Sequence, residues 1–363
     1  MPVKPINKAS PHQTVLHQYE AEVAPGLESV TSQEIQTTQR RVSDLEITNG
    51  AVRFRHPADF QPLSSLRTVN ALYRVLTFDV PRPKALLGHQ HFQRMVQTAT
   101  EILQIYPKGT FQTLSIDAAG SDSSVMQRVR NELADAVGLT SSADRGHLVI
   151  RIRPTADRTG WEALLRLSPR PLATRDWRVA NFEGALNAAV AHAMIRLTNP
   201  SDSDGFLNLC AGSGTLLIER AAAGPATLIA GCDIAAPPLE LARLNIDAAQ
   251  AVSRISLFQA DAGQLPLDSS SIDTIAVDLP FGQLVGSHQQ NRQLYPAVLR
   301  EIRRVLRPDS TATIITHEIR LFESLLNSEG RQSPHSLSLQ KVYKITLNGL
   351  HPRIYILRKT VAH

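Results

Sequence analysis

The run Asp278-Leu279-Pro280-Phe281-Gly282 places a carboxylate, a proline carbonyl and an aromatic ring close together. An exocyclic amine of a nucleobase is a weak nucleophile because its lone pair is delocalised into the ring. Asp278 and the carbonyl of Pro280 could accept the hydrogens of such an amine and direct its lone pair at an electrophilic carbon, while Phe281 stacks on the base. The residue types therefore predict a catalytic site that works by positioning. A strand that ends in an Asp-capped proline turn is the alternative.

A glycine-rich turn occurs earlier, in the run Asn208-Leu209-Cys210-Ala211-Gly212-Ser213-Gly214-Thr215. It follows a predicted strand and opens a predicted helix. Gly212 and Gly214 would let the backbone approach a ligand that a Cβ atom would repel, and the helix would present free N–H groups to it. The predicted cofactor-binding residues of this turn are Asn208, Ala211, Gly212, Gly214 and Thr215. An ordinary tight turn remains an alternative.

Acidic residues follow the next predicted strands, in Asp233-Ile234 and in Asp261-Ala262. The first carboxylate is placed to accept the ribose hydroxyls of a nucleoside, and the second could bond an adenine amino group. Each acid alone could be a helix N-cap. Three acids in series, with Asp278 after the fourth strand, favour a cofactor pocket, so Asp233, Ile234, Asp261, Ala262 and Asp278 complete the predicted cofactor-binding set.

The spacing of the glycines discriminates between cofactors. A dinucleotide site favours Gly-x-Gly-x-x-Gly, but Leu217 occupies the place of the third glycine counted from Gly212. A P-loop needs a lysine that the turn lacks. S-adenosylmethionine has no pyrophosphate, so the shorter turn suffices. We therefore predict S-adenosylmethionine as the cofactor, and no metal, because Cys210 and Cys232 lack a nearby histidine-rich cluster.

The C-terminal half alternates short apolar stretches with helical spacing, which is typical of a parallel α/β sheet covered on both faces. The predicted strands are residues 206–210, 228–232, 255–259, 274–277 and 311–315. The predicted helices are residues 186–197, 216–223, 238–250, 291–306 and 321–326. Residues 337–347 and 353–359, joined by Asn348-Gly349, predict a terminal antiparallel hairpin and bring the sheet to seven strands.

The N-terminal half predicts two small α+β regions. Residues 1–17 are expected to be flexible. Residues 18–80 contain predicted strands at 18–23, 51–55 and 69–78 and a helix at 27–39. Residues 81–168 contain helices at 91–106 and between Ser123 and Gly138, and strands at 111–116, 147–153 and 162–167. Residues 169–185 form a predicted linker before the C-terminal domain, residues 186–363.

Charge indicates a polyanionic partner. The net charge is +5, and residues 128–178 contain ten arginines and six acidic residues, so they carry +4 of it. Arginine binds phosphate with two parallel hydrogen bonds. We therefore predict that Arg151, Arg153, Arg175 and Arg178 contact RNA; a solvated charged face is the alternative. The sequence shows no signal peptide and no membrane span, so a cytoplasmic protein is expected.

From about Tyr19 the chain resembles the THUMP-domain guanine-N2 tRNA methyltransferases. The resemblance is specific in the C-terminal half and depends mainly on pattern and order in the N-terminal half. The matching motifs are Pro25-Gly26-Leu27-Glu28, Arg175-Asp176-Trp177-Arg178, Gly184-Ala185-Leu186, the glycine-rich turn, Leu217-Ile218-Glu219-Arg220, Asp233, Asn245, Asp261-Ala262, Leu265-Pro266, Asp278-Leu279-Pro280-Phe281-Gly282, Arg304-Val305-Leu306 and Gly349-Leu350.

The resemblance implies a fold and an activity. It implies a ferredoxin-like domain over residues 18–80, a THUMP domain over residues 81–168 and a class I methyltransferase domain over residues 186–363. It also implies methylation of the N2 of a guanosine in the tRNA acceptor stem, at position 6, with the N-terminal domains holding the acceptor end and the target base flipped onto Phe281. We expect a monomer, although the sequence does not reveal the oligomeric state.

Three residues depart from the family pattern: Asn208 where an aspartate is usual, Ala211 where a cysteine is usual, and Asn187 where a proline is common. Because the acid at position 208 helps to hold the methionine end of the cofactor in the family, an RNA-binding protein with an inert methyltransferase domain is a second hypothesis. An rRNA or DNA amino-methyltransferase is a third. Asn245 is expected to fix a loop, His192 to be structural, and His317 to lie in a loop near the pocket.

Overall fold

A computed structural model describes residues 15–57, 60–280, 288–329 and 336–360. Their strands form two sheets, one of eight strands in the N-terminal half and one of seven in the C-terminal half. Phe281 and Gly282 and most of the N-terminal segment, residues 1–14, lie outside the described residues. Residues 16 and 17, which were expected to be flexible, already belong to the first strand and pair with Pro57 and His56.

The N-terminal sheet has the order β2-β3-β1-β4-β8-β7-β5-β6. Its strands are β1 (Leu16–Glu22), β2 (Ser43–Thr48), β3 (Ala51–Pro57), β4 (Ala71–Phe78), β5 (Thr113–Ala118), β6 (Thr140–Ser141), β7 (Leu148–Pro154) and β8 (Trp161–Arg166). Its helices are α1 (Glu28–Thr38), α2 (Phe60–Leu63), the 3₁₀ turn Pro83–Leu87, α3 (His89–Gln104) and α4 (Ser124–Val137). The predicted boundary near residue 80 falls between strands of one continuous sheet, because β4 pairs with β8.

Ion pairs across one face of this sheet join the two predicted N-terminal regions. Arg53 on β3 donates to Glu20 on β1 at 2.8 Å and to both carboxylate oxygens of Glu162 on β8, at 2.9 and 2.6 Å. Arg153 on β7 donates to the same two carboxylates. Both glutamates are buried. Long arginine side chains thus neutralise two buried acids and tie together strands from both sides of residue 80.

The C-terminal sheet has the order β11-β10-β9-β12-β13-β15-β14. Its strands are β9 (Gly205–Leu209), β10 (Leu228–Asp233), β11 (Ser256–Gln259), β12 (Ile272–Asp278), β13 (Leu306–Thr316), β14 (Leu337–Lys344) and β15 (Arg353–Lys359). The first five are parallel, and β14 and β15 form the predicted antiparallel hairpin. This confirms the predicted Rossmann-like sheet of seven strands.

Helices cover both faces of the C-terminal sheet. They are α5 (Ala188–Leu197), α6 (Thr215–Ala223), α7 (Ala236–Ala248), α8 (His288–Val305) and α9 (Ile319–Glu329). One apolar cluster lies beneath α5, α6 and α7, and a second beneath α8 and α9. Within the described ranges, no helix is long and apolar enough to cross a membrane.

Local signals predicted some helix ends well. Ser123 accepts the N–H of Met126 as the N-cap of α4, and Gly138 ends that helix in the left-handed conformation, as the sequence indicated. Two strands were not predicted: β2, whose side chains are mostly exposed, and the two-residue β6. Both are edge strands with little apolar alternation, so they leave a weak pattern.

The Pro25-Gly26-Leu27-Glu28 turn docks the N-terminal half onto the C-terminal domain. The carbonyl of Pro25 accepts the N–H of Thr346 at 3.0 Å. Gly26 has φ +99°, and a Cβ atom there would lie 2.0 Å from the carbonyl oxygen of Lys344. Leu27 belongs to the apolar cluster of the C-terminal domain. Glu28 closes the turn by accepting the N–H groups of Gly26 and Gly50.

A buried carboxylate, Glu219 on α6, is the polar centre of the same junction. Arg67, which precedes β4, donates to both its oxygens at 2.8 and 2.9 Å, and Arg175 from the linker donates at 2.9 Å. Nδ1 of His192 on α5 lies 3.0 Å from it. Burial alone would raise the pKa of Glu219, but His192 and the charges of Arg175 and Arg67 outweigh burial and lower the pKa to about 2.

We expect Glu219→Gln to lower the free energy of unfolding by about 3 kcal/mol at pH 7, because it leaves the buried Arg175 without its countercharge. Chemical denaturation of the full chain measures this. Since the pKa of Glu219 is depressed, its contribution is present above the ordinary carboxyl pKa and is lost as the pH falls toward 2.

The matched control is Glu240→Gln, which breaks an exposed ion pair with Arg243 on α7. It should change the free energy of unfolding by less than about 0.5 kcal/mol. Equal effects of the two substitutions would contradict the central role given to Glu219.

Candidate active site

A cavity of about 270 Å³ opens at the carboxyl ends of β9, β10 and β12, where ligands bind in sheets of this type. Eight of the ten residues predicted to bind the cofactor line it. They are Ala211, Gly212, Thr215, Asp233, Ile234, Asp261, Ala262 and Asp278. Pro280, predicted to be catalytic, lines the same cavity. Phe281, the third predicted catalytic residue, lies outside the described residues.

The glycine-rich turn uses both glycines, but for different purposes. Gly212 has φ +52° and lines the cavity, with the ring of Phe182 3.7 Å from the position of a Cβ atom. Gly214 has φ +83° and faces away from the cavity, where a Cβ atom would lie 3.2 Å from Cβ of Ala242 on α7. Gly214 therefore lets α6 and α7 pack closely rather than touching a ligand.

Backbone donors hold the two acids that follow β10 and β11. Asp233 accepts the N–H of Gly212 at 3.0 Å on one oxygen and the N–H of Ala235 at 3.1 Å on the other. Asp261 accepts the N–H of Gly263 at 2.7 Å. Each carboxylate oxygen retains acceptor capacity toward the cavity. Both acids thus have a local structural role and remain available to bind a ligand.

Asp278 ends β12 at the floor of the cavity. Burial raises the pKa of its carboxyl to about 7. The next peptide is fixed by the N–H of Leu279, which donates to Ile315 on β13 at 3.0 Å. The half-buried carboxyl beside the Pro280 carbonyl can accept hydrogens from an amine that enters the cavity.

The charge of the cavity tests the predicted cofactor. Its described lining includes three carboxylates, Asp233, Asp261 and Asp278, and no lysine, arginine or histidine. Such a lining suits a ligand with positive charge and disfavours a pyrophosphate. S-adenosylmethionine carries a sulfonium and an ammonium group, so the residues fit this cofactor better than a dinucleotide. Over the described ranges, no group of three His, Cys, Asp or Glu side chains could hold a metal ion.

The linker, together with Leu186, forms one wall of the cavity, a position that its sequence did not predict. Phe182, Gly184, Ala185 and Leu186 all line it. Linker residues carry no chemical motif of their own. The resemblance to a known family included Gly184, Ala185 and Leu186 but not Phe182, and it assigned none of them to the cavity.

Two side chains hold the linker against the glycine-rich turn. Arg178 donates to the carbonyl of Leu186 at 2.9 Å and to Oγ1 of Thr215 at 3.1 Å. Asn245 on α7 accepts the N–H of Ala180 at 2.9 Å and donates to the carbonyls of Ala180 and Ser213. Asn245 therefore fixes this loop, as expected from the sequence.

Asn208 does not line the cavity, contrary to its predicted place among the cofactor-binding residues. It is buried within β9, and its amide nitrogen donates to the carbonyls of Leu209 at 2.9 Å and Ala276 at 3.0 Å. A carboxylate has no hydrogen to donate to either carbonyl. The bond to Ala276 joins β9 to β12, and an aspartate could make neither of the two bonds. Asn187 likewise has its own role, as the N-cap of α5.

The four arginines predicted to contact RNA all have partners within the protein. Arg175 is buried and bonded to Glu219 and to the carbonyls of Leu172 and Arg67, so it presents no surface to RNA. The prediction for Arg175 is therefore wrong, because this residue holds the domain junction. Arg178 is partly exposed and donates from Nη2 to the carbonyl of Leu186 and to Thr215, and its contact with RNA stays a prediction.

Arg151 and Arg153 lie on the N-terminal sheet and are partly exposed. Arg151 pairs with Glu22 and Asp117 and lies over the ring of Tyr73. Arg153 pairs with Glu20 and Glu162. RNA phosphates would have to compete with these carboxylates for the two arginines. The net charge of the segment does not show these pairings.

The remaining polar candidates have structural positions. His192 is buried between Glu34 and Glu219 at the domain junction. His317 follows β13, and burial lowers its pKa. Cys232 is buried, and Cys210 lines the cavity with φ +51°. Burial raises the pKa of both thiols.

Comparison with known proteins agrees with this geometry. Residues 175–343 match the family model described as UPF0020, RMKL-like, methyltransferase domain. The tRNA (guanine(6)-N(2))-methyltransferase THUMP3 of Mus musculus is 30% identical over 187 residues, which cover 48% of this chain and 36% of that protein. The U6 snRNA (guanine-N(2))-methyltransferase THUMPD2 of Bos taurus is 32% identical over 133 residues, covering 37% and 26%. The chain therefore spans about a third of the length of these relatives.

Among solved structures, TrmN from Thermus thermophilus is similar over nearly the whole chain. The TM-score is 0.71 at 22% identity, and the match covers 95% of this chain and all of that one. The α/β fold with a class I methyltransferase sheet is thereby confirmed. The N-terminal half shares the overall arrangement, and its THUMP assignment stays a prediction.

We expect Asp278→Asn to stabilise the cofactor-free protein in a pH-dependent way. The pKa of Asp278 is raised to about 7, so its favourable contribution is present below the ordinary carboxyl pKa and is lost as the pH rises through 7. The amide avoids this loss. The variant should unfold with a free energy about 1–3 kcal/mol higher at pH 8, with a smaller gain at pH 5.

Chemical denaturation at both pH values checks this. Asp261→Asn removes a more exposed carboxylate from the same cavity and should not reproduce the gain. If Asp278→Asn and the wild type had the same free energy of unfolding at both pH values, the raised pKa of Asp278 would be refuted.

Proposed function

We propose that this chain, whose residues 175–343 form a UPF0020, RMKL-like methyltransferase domain, is an S-adenosylmethionine-dependent enzyme that methylates the N2 of a guanosine in structured RNA. The single observation that carries the proposal is the pair of acceptors, Asp278 and the Pro280 carbonyl, in a cavity whose described lining has three carboxylates and no lysine, arginine or histidine. Relatives named for guanine-N2 methylation support the choice of guanine.

The cavity residues have separate tasks in this proposal. Bound S-adenosylmethionine supplies an electrophilic methyl carbon on a sulfonium. The Gly212 turn and Asp233 would hold the nucleoside, and Ile234, which is 65% exposed at the cavity, would cover the adenine. Phe182 and the linker would exclude water from the opposite side. These residues position two reactants and require no metal.

The acceptor pair would act on the target amine. Asp278 and the Pro280 carbonyl each accept one amino hydrogen, which turns the nitrogen lone pair toward the methyl carbon. After transfer the nitrogen must lose a proton. A carboxyl whose pKa lies at about 7 can take that proton near neutral pH. Phe281, in the same motif, is proposed to stack on the base.

We further propose tRNA as the RNA, with position 6 of the acceptor stem as the target, and a monomer acting in the cytoplasm. The N-terminal half is proposed to bind the acceptor end as ferredoxin-like and THUMP domains. The resemblance supports this, and so does the junction through Glu219, which would keep an RNA-binding half at a fixed distance from the cavity. An inert domain is less well supported, because the structural bonds of Asn208 account for its departure from the family pattern.

The test combines the full chain and S-adenosylmethionine with tRNA, U6 snRNA and rRNA. Nuclease digestion and mass spectrometry of the nucleosides and fragments identify the product and its position. N2-methylguanosine in tRNA alone is the expected result. N2-methylguanosine in U6 snRNA or rRNA would identify that RNA as the substrate and overturn the choice of tRNA. Methylated adenine or cytosine would overturn the guanine assignment. No cofactor binding at millimolar concentration by calorimetry would favour the inert domain.

We expect Asp278→Ala to reduce methyl transfer by at least about a thousandfold while RNA binding in a gel shift stays within about twofold, because the substitution removes an acceptor and leaves the N-terminal half intact. Asp268→Ala, an exposed aspartate ahead of the same strand, is the control and should be fully active. Activity of Asp278→Ala equal to that of the control would remove Asp278 from the mechanism.

A further inference from the structure

Tyr295 on α8 reaches the turn that carries the proposed acceptor pair. Its hydroxyl lies 2.8 Å from the carbonyl oxygen of Pro280 and 2.7 Å from Oγ1 of Thr316, the last residue of β13. Thr316 Oγ1 in turn lies 3.0 Å from the backbone nitrogen of Glu318. Tyr295 and Thr316 are both fully buried. Three hydrogen bonds therefore run in series from Glu318, the residue before α9, to the Pro280 carbonyl.

Elementary chemistry fixes the direction of every bond in this series. The backbone nitrogen of Glu318 can only donate, and the carbonyl oxygen of Pro280 can only accept. The single hydrogen of the Tyr295 hydroxyl must therefore point at Pro280. The contact between Tyr295 and Thr316 then takes its hydrogen from Thr316. Neither hydroxyl can rotate without losing a buried hydrogen bond, so the series has one arrangement.

This series of hydrogen bonds restricts the orientation of the Pro280 carbonyl. A carbonyl oxygen has two acceptor positions. Tyr295 occupies one of them, and Pro280 lines the cavity, where the other remains for a ligand. The peptide before it is fixed independently, by the bond from Leu279 to Ile315. Leu279 and Pro280 are thus each held by a residue that does not line the cavity.

We propose that Tyr295, supported by Thr316, is a positioning residue that orients the Pro280 carbonyl toward the hydrogen of the target amine. This inference rests on the proposed function. Tyr295 touches neither substrate nor cofactor in this assignment, because it lies behind the turn against Phe322 and outside the cavity lining. Its effect is on the geometry of the transfer and not on binding.

The fold contains a matched control in Tyr355 on β15. Tyr295 and Tyr355 are both fully buried, and both rings pack against Phe322, with ring centroids 6.2 and 4.7 Å away. Each hydroxyl donates one hydrogen bond, that of Tyr355 to Glu323 at 3.1 Å. The two tyrosines thus share burial and packing, and only Tyr295 reaches the acceptor turn.

The experiment measures kcat, KM and cofactor affinity for Tyr295→Phe, Tyr355→Phe, Thr316→Val and Thr316→Ser in the full chain, with the RNA that the wild type methylates. We expect Tyr295→Phe and Thr316→Val to lower kcat about tenfold, with KM for RNA and the dissociation constant of S-adenosylmethionine within about twofold of wild type. Thr316→Ser keeps the hydroxyl and should retain most of the activity. Tyr355→Phe should leave kcat unchanged.

The outcomes separate this inference from the proposed function. An active wild type with unaltered kcat in Tyr295→Phe would overturn the positioning role and leave the methyltransferase proposal standing. Equal losses in Tyr295→Phe and Tyr355→Phe would assign the effect to core stability and also overturn it. A wild type that methylates none of the RNAs would overturn both. Thermal unfolding of each variant shows that kcat is compared between folded proteins.

Discussion

The rest of this molecule depends on the ion pairs of one buried carboxylate, that of Glu219. A lone carboxylate at that depth would be strongly destabilising, so the folded state requires Arg67 and Arg175 to reach it. Those arginines come from the N-terminal half and from the linker. The charge of one side chain therefore requires three parts of the chain to meet, and the apolar contact of Leu27 and the Pro25-Gly26 turn complete the junction.

The position of Glu219 along α6 links this junction to the cavity. Helix α6 begins at Thr215, directly after the glycine-rich turn, and Glu219 lies about one turn further on. The same nine-residue helix thus opens at the cofactor cavity and anchors the N-terminal half. Arg178 and Asn245 fold the intervening linker over the cavity. Any movement of the N-terminal half relative to the cavity would have to disturb α6 or break a buried ion pair, which favours a rigid relation between the two.

The sequence predicted those features that depend on local rules. Helix caps such as Ser123, the sharp turn at Gly212 and the placement of Asp233, Asp261 and Asp278 after successive strands follow from residue type and spacing. It failed where the partner of a side chain lies far along the chain. Arg175 was interpreted as an RNA contact because charge is visible in a sequence, whereas its partner Glu219 is 44 positions away. Asn208 was predicted to line the cavity and does not, and Phe182 lines it without having been predicted. The reason is the same, because the fold determines which distant residues become their neighbours.

Asp278 lowers the stability of the protein when the cavity is empty and the carboxyl is ionised. Burial raises the pKa of its carboxyl to about 7, so near neutral pH the protonated form competes with the ionised form. A cationic cofactor would supply the missing countercharge and favour the carboxylate, the form that can accept one hydrogen of the target amine while the Pro280 carbonyl accepts the other. Cofactor binding and readiness of the acceptor site are therefore linked through one proton. In the absence of the methyl donor, a proton on Asp278 would occupy an oxygen atom that the proposed target amine needs.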